Sequence, residues 1–115
     1  MWFANLEHLR ARLGYTDDRD LYAQIEAMGV DMTQPHQVDW YSYFPTASGA
    51  LDVARVLRDD HLEVEVPDAE GDGEWPVVAS RTGQMTYMVV MRMTNRMRQT
   101  VDAHGGTLDG WGMAI

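Results

Sequence analysis

The sequence predicts a single α+β domain in which helices pack on an antiparallel sheet. Three observations predict it. From Val38 onward, strand-type and helix-type hydrophobic patterns succeed one another in the order β-α-β-β-α-β. Glycine, proline or a capping residue falls between most of these segments. The chain is 115 residues with 45% hydrophobic and 23% charged residues, ordinary values for one globular unit able to bury its own core. Residues 1–30 read as an N-terminal helical segment and residues 38–115 as the βαββαβ core of the same domain.

Leu6, Leu9 and Leu13 are spaced for one helical face, and Gly14 stops that segment. A second helix starts near Thr16 or Asp17, carries Leu21, Ile25 and Met28 on one face, and stops at Gly29. Val38-Asp39-Trp40-Tyr41-Ser42-Tyr43-Phe44 is an aromatic strand closed by Pro45. Thr46 or Ser48 caps the next helix, whose expected buried stripe is Ala47, Ala50, Leu51, Ala54 and Leu57. Leu62-Glu63-Val64-Glu65-Val66 alternates strictly and forms a second strand. A Gly/Asp-rich loop from Pro67 to Glu74 leads to its hairpin partner, Trp75 to Ser80, with Pro76 confined to the strand's start because it cannot donate a ladder bond. Val90, Met93, Met97, Val101 and His104 then advance by three or four residues, ended by Gly105-Gly106. Thr107 to Ile115 closes the order as a last strand. Two helices on one face of a four-stranded antiparallel sheet, with this order, make a ferredoxin-like sandwich.

Composition excludes several function classes. Cysteine is absent, removing disulfides, thiolate nucleophiles and cysteine-ligated metals. The histidines, His8, His36, His61 and His104, lack paired metal-ligand spacing, so no metal or cofactor is expected. Ser42, Ser48 and Ser80 lack a nucleophile elbow, and no glycine-rich phosphate loop is present, so the sequence offers no catalytic set. No apolar run approaches the roughly 20 residues of a membrane span, and Met1-Trp2-Phe3-Ala4 does not resemble a secretory leader, which makes the cytoplasm the expected compartment.

Net charge is −9, and all nine basic residues are arginine. A chain so acidic is a poor match for phosphate backbones, so direct DNA binding is not expected and RNA is disfavoured. It suits a basic protein surface instead. Eight acids lie between Asp59 and Glu74 with no arginine among them, Glu63, Glu65, Glu70 and Glu74 included. Arg92, Arg96 and Arg98 gather later, opposed locally by Asp102. The methionines at 85, 88, 91, 93 and 97 read mainly as core filler, with Met88 and Met91 off the main stripe.

If Val38, Trp40 and Phe44 face the helices, alternation sends Tyr41 and Tyr43 to the other sheet face, beside Glu63 and Glu65. That arrangement suggests an aromatic and acidic patch for a protein partner, or a surface covered by the N-terminal helices. Self-association through it is a competing reading. Base stacking by the tyrosines is a weaker one, because the acids repel a phosphate backbone.

The most distinctive string is His104-Gly105-Gly106-Thr107-Leu108-Asp109-Gly110-Trp111-Gly112. Asp109-Gly110 permits a turn or bulge, and Trp111 sits between two glycines as either a packed residue of an edge strand or a binding anchor. This string resembles the G-G-x-x-D-G-W-G ending of the regulator of ribonuclease activity B family, protein inhibitors of ribonuclease E. Val38 to Pro45 and Trp75 to Val78 resemble that family's aromatic and tryptophan strands. The resemblance implies a ferredoxin-like protein-binding module without a catalytic site, whose partner is a ribonuclease. It implies Gly105, Gly106, Asp109, Gly110, Trp111 and Gly112 as motif positions; Tyr41, Tyr43 and Trp111 are candidate anchors on their own residue chemistry.

Overall fold

The computed structural model describes residues 18–67 and 74–114. Their order is α1 (Asp18–Ala27), β1 (Pro35–Phe44), α2 (Ala47–Asp59), β2 (Glu63–Glu65), β3 (Trp75–Gln84), α3 (Tyr87–Ala103) and β4 (Thr107–Met113). The sheet order is β2-β3-β1-β4, with every neighbouring pair antiparallel. This is the ferredoxin-like arrangement expected from the pattern, with α1 added in front. The helix expected over Leu6 to Leu13 lies outside the described residues, as does most of the loop from Pro67 to Glu74.

Local chemistry explains the helix boundaries. Thr46 caps α2, its hydroxyl accepting from the Gly49 amide, and Thr86 caps α3 by accepting from Val89. Both helices end in the same closure, with amides one and two residues past the cap bonding back into the last turn. In α3 the residue bent into the left-handed region is Gly105, at φ +80°. In α2 it is His61, at φ +66°, the one non-glycine with positive φ among the described residues. Leu62 follows it and packs into the core with Leu57, which holds the turn despite the cost of a side chain there.

Register assigns the two faces of β1. Val38, Trp40 and Phe44 point to the helices and are essentially inaccessible, joined there by Val77, Ala79, Trp111 and Met113 from β3 and β4. Trp40 pairs with Trp111 across β1 and β4. Each indole N–H finds a partner: Trp40 Nε1 donates to Thr94 Oγ1 at 3.0 Å and Trp111 Nε1 to Asp18 Oδ1 at 3.0 Å. Asp18 begins α1, so this bond ties the first described helix to the last strand.

Some stripes shift by a residue. Leu51 is exposed, and Val53 takes the buried place expected for it on α2. On α3 the buried set is Val90, Thr94, Met97 and Val101, with Met93 only half-buried. Leu21 and Ile25 are buried as expected, but Met28 is exposed. Leu21 and Ile25 do not cover the tyrosine face of the sheet. They join the helix-side core with Trp40 and Trp111, and the Tyr22 hydroxyl donates to the Met85 carbonyl at 2.8 Å.

Candidate protein interface

The face of β1 turned from the helices carries Asp39, Tyr41 and Tyr43. Register places Ser80, Val78 and Pro76 of β3 beside them, with Glu63 and Glu65 of β2 one strand further. On the other side lie Gly112 and Gly110, opposite Asp39 and Tyr41. The pairing jumps from Tyr41–Gly110 to Ser42–Leu108, leaving Asp109 as the extra residue of a β-bulge. The Asp-Gly-Trp-Gly motif is thus an edge-strand device. The bulge bends β4, the glycines face the acidic side, and Trp111 enters the core.

The expected anchors are placed differently from one another. Trp111 is 2% exposed and Tyr41 6%, so both are buried in the described fold. Tyr43 is half-buried at the end of β1. There it lines a depression of about 600 Å³ with Glu74, Gly105, Thr107 and Asp109. Four residues singled out from sequence, Tyr43, Glu74, Gly105 and Asp109, therefore converge where β1, β3, β4 and the end of α3 meet. Glu63 and Glu65 are exposed on the β2 edge of the same sheet face. Glu70 lies outside the described residues. Gly106 serves the fold: its Cα sits against the Phe44 ring so closely that a Cβ would overlap it.

The most unusual group on this face is not signalled by the sequence pattern. Asp39 is fully buried on the central strand. Ser80 Oγ and Gln37 Nε2 both donate to its Oδ1, while Oδ2 has no hydrogen-bond partner among the described residues. Burial pushes its pKa up to about 6, the two hydrogen bonds oppose that rise, and the Glu65 charge adds to it. Alternation from Tyr41 places Asp39 on this face, but no local signal marks it as buried. Also unforeseen, Asp60 leaves the acidic run to pair with Arg96, and Arg98 approaches Asp18 at 3.8 Å, so neither arginine depends on Asp102.

The arrangement offers carboxylates and one tyrosine for contact with cationic side chains. Among the described residues, no group of three or more histidine, aspartate or glutamate side chains is placed to hold a metal ion. No helix among them is long and apolar enough to cross a membrane.

Comparison with known proteins gives a family and a likeness of fold. No curated protein sequence matches the chain. A de novo designed protein, Foldit4, superposes with a TM-score of 0.50 at 10% identity, covering 71% of this chain and 98% of that one, a likeness of fold alone. The family model described as regulator of ribonuclease activity B matches residues 16–113, from just ahead of α1 through Trp111 and Met113. The chain belongs to the regulator of ribonuclease activity B family.

Proposed function

We propose that this chain regulates a ribonuclease by binding it directly through its acidic sheet face, with no catalysis of its own. Family membership carries this reading, since it brings a regulatory role toward ribonuclease activity. The distribution of charge supports the acidic sheet face as the contact surface. Glu63, Glu65 and Glu74 are exposed, and Tyr43 and Asp109 stand beside Glu74 in the depression at the end of β1. Charges at a rim act mainly on encounter and on the choice of partner, which suits an acidic protein meeting a basic, RNA-handling one.

The test is binding of the purified chain to ribonuclease E by biolayer interferometry, at salt from about 50 to about 300 mM. Saturable binding that weakens with salt is expected. It weakens further in the Glu63→Lys, Glu65→Lys, Glu74→Lys triple variant. Binding that ignores both salt and charge reversal removes the acidic face from the account, and absence of binding removes the ribonuclease.

A further inference from the structure

The opposite charge is concentrated on the other side of the molecule. A groove of about 280 Å³ opens between the end of α2 and the outer side of α3, with Leu57, Leu62, Met93 and Met97 in its wall. Leu57, Leu62 and Met97 are buried, and Met93 is half-buried. Arg81, Arg92 and Arg96 line the same groove, and Asp60 is the one carboxylate that does. Three of the nine arginines in a chain of net charge −9 thus surround one apolar cleft.

Asp60 is already committed. Its carboxylate meets Arg96 at 2.9 Å, and its carbonyl accepts from Arg81 at 2.7 Å. Arg92 is exposed and makes no hydrogen bond or ion pair among the described residues. It stands four residues before Arg96 on α3, a like-charge spacing that costs a helix rather than supporting it. The fold gains nothing visible from Arg92, whereas an anion in the groove would gain a guanidinium already in place.

We propose that this groove binds an acidic peptide segment of a partner protein. One apolar side chain of that segment seats among Leu57, Leu62 and Met93, and flanking carboxylates meet Arg92 and Arg96. The volume lies just below the roughly 300–1,000 Å³ of small-molecule sites. An apolar pocket rimmed by arginine is the geometry of an interface anchor. The chain's overall negative charge does not forbid the contact, because at physiological salt screening acts over about 8 Å and the nearest charges dominate. The surface uses none of the residues assigned to the acidic face, so it stands or falls independently of the ribonuclease reading.

A fluorescein-labelled peptide, Glu-Glu-Leu-Glu-Glu-Leu-Glu-Glu, titrated into the full chain by fluorescence anisotropy tests it. Saturable binding is expected, weakened roughly tenfold by Arg92→Glu. The thermal midpoint of that variant should not fall, because Arg92 holds nothing in the fold. Replacing the peptide leucines by glycine should weaken binding comparably. Any of four results overturns the proposal: no saturation at millimolar peptide, indifference to Arg92→Glu, equal binding of the glycine peptide, or equal competition by octanoate, which would assign the groove to small carboxylates. Sedimentation showing a dimer that Arg92→Glu dissolves would assign it to a second copy and overturn the proposal as well.

Discussion

The two faces of β1 are built from one ten-residue strand and follow opposite rules. Toward the helices, Val38, Trp40 and Phe44 are packed on all sides, and the Trp40 indole N–H meets Thr94. Away from them, Asp39 is equally inaccessible, yet one carboxylate oxygen has no partner among the described residues, and the Glu65 charge further disfavours its ionised form. Burial alone therefore does not mark the stabilising side of a sheet. One face is optimised for cohesion, and the other carries a group that weakens cohesion at neutral pH, among the exposed acids assigned to recognition. Such concessions are expected where surface chemistry serves something other than the fold.

The sharpest way to break this contrast is to remove cohesion from the helix side. Trp111→Ala deletes a buried indole and the Asp18 bond, and should cost about 3–5 kcal/mol in urea unfolding, while Trp111→Phe should recover most of it. A loss under about 1 kcal/mol would mean that Trp111 is not core.

On the other face the sign reverses. An aspartate ionises near 3.9 when unfolded, whereas folded Asp39 holds its proton until about pH 6. Its contribution to stability is therefore fully present below about pH 4 and lost as pH rises through 6, by about 2–3 kcal/mol. Asp39→Asn should flatten that part of the pH–stability curve and stabilise the chain at pH 7. An unchanged curve would show that Asp39 is solvated.

Gly106→Ala sharpens the contrast from the helix side again. Its methyl group overlaps the Phe44 ring, which is 1% exposed and has no room to retreat, so about 2 kcal/mol should be lost. Smallest is the effect of reversing Glu63, Glu65 and Glu74 together, which should leave stability within about 0.5 kcal/mol per site because all three are exposed. A large loss there would place these acids in the fold's support rather than on its recognition surface.

Periodicity made much of this legible. The aromatic strand, the Thr46 or Ser48 cap, the strict alternation around Val64 and the glycine pair after α3 all report local geometry, and local geometry dictated the elements. The Asp109-Gly110 bulge was readable for the same reason. What sequence spacing does not carry is the partner of each face. Leu51 and Val53 are equally apolar, and only the placement of α2 on the sheet decides between them. Thr94 looks like an interruption of an apolar stripe until Trp40 needs an acceptor. Trp111 has the size of an anchor and is buried because β4 pairs with β1 next to Trp40. Asp39 and the pairing of Asp60 with Arg96 depend on contacts across 41 and 36 positions of chain, which no local pattern encodes.

The central claim, regulation of a ribonuclease through the acidic face, is tested most directly by the cleavage rate of ribonuclease E on a fluorogenic RNA as the chain is titrated in. A saturable change in rate is expected. The Glu63→Lys, Glu65→Lys, Glu74→Lys variant should lose the effect while unfolding at the wild-type midpoint, and the chain alone should leave the RNA intact. An equally folded variant that alters the rate as strongly as the wild type, or RNA cleavage by the chain itself, would contradict it.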